Sequence, residues 1–146
     1  MFLKKPSCIT RASKPLKTAA TAEITNSVTA YHYLQCVACV RAMSAARGRT
    51  YNGYGNAKTH INQKVSGYTY INNSPNNLTQ LIPGSILIFN TGAYGHVLYA
   101  TQILKDSNGI PKAYKALECN WGAKGMLQHN ITRPIDKKLA GWQRPN

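Results

Sequence analysis

The sequence predicts an α+β domain, with helices on its N-terminal side and an antiparallel β-sheet on its C-terminal side. Up to Gly67 the apolar residues recur at helical spacing, and after it short β-branched or aromatic segments are separated by turn residues. Separation of the two element types along a chain is typical of α+β domains. A length of 146 residues suits one domain with one core.

The first convincing helix is predicted from Cys36 to about Ala46, and a glycine two residues later ends it. Apolar residues leave it little polar face, so it should be largely buried. A shorter helix is predicted from Ala57 to Val65, where apolar residues recur every four positions and Asn56 can cap the first turn.

The strands follow as segments rich in β-branched and aromatic residues. They are predicted at residues 68–71, 85–90, 96–104, 112–121 and 126–131, with a last short strand around Trp142. The sequence DSNG at 106–109 predicts a hairpin turn, and the Asn-rich residues 71–80 predict a surface loop. Residues 1–25 are predicted to be a basic N-terminal arm, and 26–146 a single domain.

The charge balance is unusual, because eighteen Lys and Arg face four acidic residues and give a formal net charge of +14. A positive field attracts polyanions such as nucleic acid, anionic lipid or cell-wall polymers. The basic residues are scattered, and neither a basic helix nor a nucleic-acid motif is present. The charge therefore narrows the partner to the class of polyanions without settling which polyanion it is, and we expect a monomer that binds no nucleic acid.

Targeting signals are not visible in the sequence. No stretch approaches the roughly 20 apolar residues of a membrane span, so no integral membrane segment is expected. The N-terminus has basic residues but no apolar run before Pro6, so no secretory signal is predicted. Four cysteines are too few for a secreted disulfide scaffold, which favours synthesis in a reducing cytoplasm.

Cys36 is the residue most suited to nucleophilic chemistry. At the start of a buried helix, a thiol meets the positive end of the helix dipole and unpaired backbone N–H groups, and both favour the thiolate. Taken alone, Cys36 is more often a structural cysteine. Cys36 and Cys39 could also form a redox pair or half of a zinc site. Cys39 and Cys119 are interpreted as core residues, and Cys8 as incidental.

A cysteine nucleophile needs a histidine, usually distant in sequence. Of four histidines, His96 is the best placed, because a glycine turn precedes it at the start of a strand. His32 is too near Cys36 in sequence, His60 lies beside the apolar stripe of the short helix, and His129 is in a mixed polar strand. We therefore expect His96 to face Cys36.

Glu118 is the one acidic residue embedded in a hydrophobic run. Its strand pairs through the DSNG hairpin with the strand that carries His96, and Glu118 and Asn120 share one face of it. A carboxylate beside His96 could accept its ring N–H and hold the ring in one orientation. Three separated segments then supply a cysteine, a histidine and a glutamate.

Five motifs together resemble the CHAP family, the cysteine, histidine-dependent amidohydrolases/peptidases that cleave peptidoglycan. They are QC at 35–36, YGNAK at 54–58, PGSILIF at 83–89, GHV at 95–97 and LECNW at 117–121. The similarity is strongest to phage endolysin domains and covers roughly residues 30–143. It implies a papain-like fold, with Cys36 as nucleophile, His96 as base, Glu118 as its orienter, Asn120 as an accessory polar group and Gln35 as an oxyanion-hole donor.

The sequence departs from the family pattern at two places. Gly84-Ser85 stands where the family usually has Gly-Asp, which would remove a structural hydrogen bond. Some endolysin members carry an Asp-rich calcium loop before the cysteine, but residues 24–35 contain no carboxylate. We therefore expect no metal site there and no cofactor, and lysis that survives a chelator.

The resemblance implies a peptidoglycan hydrolase of the endolysin type, made in a host bacterial cytoplasm and acting at the cell wall. An endopeptidase is favoured, and an N-acetylmuramoyl-L-alanine amidase of the same fold is the alternative. Tyr54, Asn56 and Trp121 are predicted to line the substrate groove. From other classes, a basic nucleic-acid-binding protein and an inert wall-binding domain remain open, although the intact Cys, His and Glu oppose the second.

Overall fold

The computed structural model describes residues 36–119 and 127–146. Helix α1 spans Cys36–Ala46, and two short 3₁₀ helices span Ala57–His60 and Pro75–Gln80. The strands are β1 (Tyr68–Asn72), β2 (Ile86–Phe89), β3 (His96–Lys105), β4 (Pro111–Cys119), β5 (Leu127–Pro134) and β6 (Leu139–Pro145). Helix α1 has the bounds predicted from the sequence.

The strands form one six-stranded antiparallel sheet in the order β1-β6-β2-β3-β4-β5. This confirms the predicted α+β class. The last strand is longer than expected, with seven residues, and it lies between β1 and β2 inside the sheet. Trp142 on this strand is fully buried, and its ring N–H donates to the Gln80 carbonyl at 3.3 Å.

Apolar residues cover both faces of the sheet. Alternate residues of β2 and β3 belong to two different clusters, so the clusters lie on opposite faces. The first packs against α1 and contains Ile86, Ile88, Val97 and Tyr99, among others. The second contains Leu87, Leu98 and Trp142, with Leu78 of the second 3₁₀ helix packed against it. The sheet therefore packs against α1 through one face and against the second 3₁₀ helix through the other.

The second predicted helix is much shorter than expected. Only Ala57–His60 is helical, Asn62 has a φ of 60°, and the Asn56 side chain makes no capping hydrogen bond. The Asn56 carbonyl instead accepts from the Thr59 N–H at 2.9 Å. The periodicity predicted a longer helix, but the chain leaves the helix after one turn because His60 is buried.

Two predicted connections lie at the surface. The DSNG turn is confirmed, since the Gly109 N–H donates to the Asp106 carbonyl and the Asp106 carboxylate accepts from the N–H groups of Asn108 and Ile110. The Asn-rich segment 71–80 is only partly a loop, because it contains the end of β1 and the second 3₁₀ helix.

Several predictions fall outside the described residues. They concern the arm 1–25, the loop 24–35, Cys8, His32, Gln35, Asn120 and Trp121. The domain limits at residues 25 and 26 therefore stay a prediction. Within residues 36–119 and 127–146, no helix combines the length and the apolar character needed to cross a membrane.

Candidate active site

Cys36 is the first residue of α1, and its side chain is half-buried. Burial raises the pKa of the Cys36 thiol, but a hydrogen bond from His96, the positive charge of His96 and the backbone N–H groups of Val97 and Val37 outweigh it. The net result is a pKa below the ordinary value of 9.0. Helix start, histidine and backbone donors thus all favour the thiolate.

His96 begins β3 and lies opposite Phe89 of β2. Only 4% of its surface is exposed, and its ring centroid is 6.4 Å from that of Phe89. The structure thus brings His96 into contact with Cys36, although sixty residues of chain separate them. The roles of nucleophile and base remain predictions.

The turn before His96 is fastened to the first 3₁₀ helix. The Lys58 N–H donates to the Tyr94 carbonyl at 2.9 Å, and the Lys58 ammonium donates to the Gly92 carbonyl at 3.4 Å. Gly95 has a φ of +75°, and a Cβ atom built on it would lie 2.6 Å from the Lys58 nitrogen. Glycine is therefore required at position 95 by both conformation and space.

A buried pair of side chains, Tyr51 and His60, also holds this 3₁₀ helix in place. The Tyr51 hydroxyl and the His60 Nδ1 are 2.6 Å apart, and His60 is fully buried. His60 Nε2 lies 3.4 Å from the Gly55 carbonyl, which can only accept, so Nδ1 is the acceptor and Tyr51 donates. Burial raises the pKa of Tyr51 and lowers that of His60, so both are neutral.

The segment around Tyr54 is bonded on two sides. Arg41 of α1 donates to the Gly53 carbonyl at 2.6 Å. The Gln63 side chain accepts from the Tyr54 N–H at 2.9 Å and donates to the Tyr54 carbonyl at 3.1 Å. Tyr54 and Asn56, both predicted to contact substrate, are exposed. This segment thus joins the helix of Cys36 to the 3₁₀ helix.

Glu118 lies near the end of β4, which pairs with β3 in antiparallel register, Tyr99 opposite Leu117. The end of β4 that carries Glu118 therefore lies beside the beginning of β3, where His96 is. The Glu118 side chain lies outside the described part, as do Asn120, Gln35 and Trp121. Their assigned roles stay predictions.

Cys39 requires a correction. It is fully buried, as a core residue should be, but it is disulfide-bonded, whereas Cys36 is a free thiol. Cys36 and Cys39 thus do not form a redox pair with each other in this structure.

No group of three or more potential metal ligands occurs in the part of the chain that the structure describes. At the position where the family usually has aspartate, Ser85 is fully buried, and its hydroxyl accepts a long hydrogen bond of 3.4 Å from the Ile82 N–H. Ser85 therefore makes a weak hydrogen bond at the position where the sequence departs from the family pattern.

Sequence reasoning missed two features of the site. It left His60 beside the apolar stripe of a helix, although His60 is buried against Tyr51. It also passed over Tyr94, which is 68% exposed two residues before His96. The position of Tyr94 in the turn directly before the candidate base was the sequence signal that could have drawn attention to it.

A free thiol at the start of a buried helix, in contact with a histidine on the adjoining sheet, is the arrangement of cysteine–histidine enzymes. Residues 26–120 match the model of the CHAP domain family, and the chain belongs to this family. The resemblance inferred from the motifs is thereby confirmed.

The fold is similar to the crystal structure of a wild-type endolysin, LysIME-EF1, with a TM-score of 0.57 and 21% sequence identity. The similarity covers 89% of this chain but 63% of the endolysin chain. No curated protein matches the sequence.

Proposed function

We propose that the protein is a peptidoglycan hydrolase that cleaves an amide bond with Cys36 as nucleophile. The observation that carries the proposal is the contact of the Cys36 thiol with His96, which lowers the thiol pKa. Membership of the CHAP family and the fold shared with an endolysin support the choice of substrate.

In the proposed reaction the Cys36 thiolate attacks the amide carbonyl carbon and forms a tetrahedral intermediate. Gln35 and the Cys36 N–H stabilise its oxyanion. His96, oriented by Glu118 with Asn120 as an accessory polar group, protonates the leaving amine. His96 then removes a proton from water, which attacks the thioester, and the carboxylate product leaves as the thiol is restored.

An endopeptidase is the favoured activity, because the motifs YGNAK and LECNW resemble endolysin domains that cut within the peptide. The amidase is the alternative. Mass spectrometry of digested, purified peptidoglycan separates them. New amino termini within the peptide support the endopeptidase, whereas glycan strands stripped of peptide, with new N-terminal L-alanine, would show the amidase.

The dependence on cysteine is tested with Cys36→Ala. We expect wall lysis to be abolished, a fall on the order of 10⁶-fold, with an unchanged far-UV circular dichroism spectrum. Lysis that persists in a pure Cys36→Ala preparation would refute the mechanism.

The net charge of +14 supports a second part of the proposal, that anionic envelope polymers hold the enzyme at the wall after it leaves the bacterial cytoplasm. Added salt screens such attraction. Binding of the Cys36→Ala protein to whole walls should therefore weaken as salt rises. Binding that is independent of salt would instead indicate a specific pocket.

A further inference from the structure

Two tyrosines near the candidate active site are exposed to an unusual degree. Tyr54 is 67% exposed and Tyr94 is 68% exposed, and no other large hydrophobic side chain is exposed in residues 36–117 and 132–146, where the structure describes side chains. The mechanism proposed above uses neither of them. Single exposed hydrophobic residues need no explanation, but these two occur together.

Their backbones are attached to adjacent residues of the same 3₁₀ helix. The Tyr94 carbonyl accepts from the Lys58 N–H at 2.9 Å, and the Tyr54 carbonyl accepts from the Thr59 hydroxyl at 2.9 Å. Gln63 adds two further hydrogen bonds to the Tyr54 backbone. The backbones of both tyrosines are thus fixed before a ligand binds. Less conformational entropy is therefore lost on binding.

Each tyrosine also lies on a segment that is linked to a reacting group. Tyr94 is two residues before His96, and two residues of chain span at most about 7 Å. Tyr54 follows Gly53, whose carbonyl accepts from Arg41 of the helix that begins with Cys36. One tyrosine is therefore connected to the base and the other to the helix of the nucleophile.

This placement determines which part of a substrate the pair can meet. Tyr94, within about 7 Å of His96 along the chain, can reach the substrate residues next to the amide that Cys36 attacks, and Tyr54 is bonded to the same 3₁₀ helix. In an endopeptidase these residues are peptide, which presents planar amides, small aliphatic side chains and carboxylates. A tyrosine ring has apolar faces and a polar hydroxyl, which suits such a partly hydrated ligand. Lys58, to which the Tyr94 backbone is attached, supplies a positive charge.

We propose that Tyr54 and Tyr94, held on one 3₁₀ helix, bind the peptide beside the scissile amide and set specificity for it. The inference rests on the proposed endopeptidase function. It adds Tyr94 to the substrate-binding residues and assigns peptide, not glycan, as the ligand of the pair.

The test is steady-state kinetics on a soluble cross-linked stem peptide that carries no sugar. Tyr94→Ala and Tyr54→Ala should each raise KM about tenfold with little change in kcat, and the double variant should raise it further. Tyr94→Phe keeps the ring but loses the hydroxyl, so its KM should lie between those of the wild type and Tyr94→Ala. The rate at which iodoacetamide alkylates Cys36 should be the same in all variants.

Each outcome bears on a different statement. Failure of the wild type to cut any peptidoglycan or peptide would refute the proposed function, and this inference with it. An unchanged KM in an active double alanine variant would refute the inference alone. So would competition by a peptide-free glycan oligosaccharide that disappears in Tyr94→Ala, or a slower alkylation of Cys36 that reveals a structural role.

Discussion

The Gly95 backbone lies directly against that of Lys58. A Cβ atom at position 95 would be 2.6 Å from the Lys58 nitrogen and 2.9 Å from its Cα, and the Gly95 φ is +75°. The next residue is His96. This contact therefore sets the position of the candidate base through the backbone, and it can be tested separately from the side chains.

Gly95→Ala should reduce kcat sharply, because relief of the clash moves the turn and His96 with it. A displacement of about 1 Å costs roughly 10²-fold in rate. Gly92→Ala is the matched control, since Gly92 lies in the same turn with a φ of +62° and open space around a Cβ atom. It should lose about 1 kcal/mol of stability and remain active. Equal loss of rate in both variants would contradict the assigned contact.

His96 should control the titration of Cys36. In the wild type, the pH profile of alkylation by iodoacetamide should have its midpoint below 9.0, because His96 and two backbone N–H groups outweigh burial. In His96→Ala burial acts with less opposition, so the midpoint should move to higher pH. The Cys36→Ala protein gives the background from any other thiol. A midpoint that does not move would show that His96 does not stabilise the thiolate.

Acid should lower the free energy of unfolding, because His60 resists protonation in the folded protein. Burial, followed by the charge of Arg41, lowers its pKa below the ordinary 6.5, while a hydrogen bond to Gly55 opposes this. Below pH 6.5 the unfolded chain therefore binds a proton that the folded protein resists, and stability falls as pH decreases, by at most about 1.4 kcal/mol per pH unit. Above pH 6.5 this contribution is complete.

The measurement is urea unfolding at several pH values between 7.5 and 5.0. His60→Gln should be less stable than the wild type at pH 7.5 but lose less stability on acidification. If the two slopes are equal, His60 is not the group that takes up the proton.

The disulfide of Cys39 predicts a thiol count. Cys36 is a free thiol and Cys39 is in a disulfide, so the denatured, unreduced protein should react with fewer equivalents of a thiol reagent than the four that react after reduction. Reduction should also lower stability by about 2–4 kcal/mol. Four reactive thiols before any reductant is added, in protein from an oxidising compartment, would contradict the bond.

Local patterns predicted much of this structure. The bounds of α1 follow from a continuous apolar pattern ended by Gly48, and the strands follow from β-branched segments between turn residues. Cys36 was predicted to react because it stands at the start of a buried helix. His96 was predicted because a glycine turn precedes it at the start of a strand. The motifs around them identified the family.

The extent of the short helix after Asn56 depends instead on contacts between distant residues. His60 is buried against Tyr51, and its carbonyl accepts from Gln143 of β6 at 3.1 Å, so tertiary hydrogen bonds overrode the helical periodicity. The interior position of β6 has the same kind of cause, because strand order depends on pairing across the whole chain.

By itself, then, the sequence determined the fold class, the family and the two residues expected to react, because short patterns and motifs encode each of these. Only the tertiary structure decided that Lys58 holds the turn before His96, that Cys39 is in a disulfide, and that Tyr54 and Tyr94 are fastened to one 3₁₀ helix. Such contacts join segments far apart in the chain, and their free energy arises only when the folded backbone brings those segments within hydrogen-bonding distance.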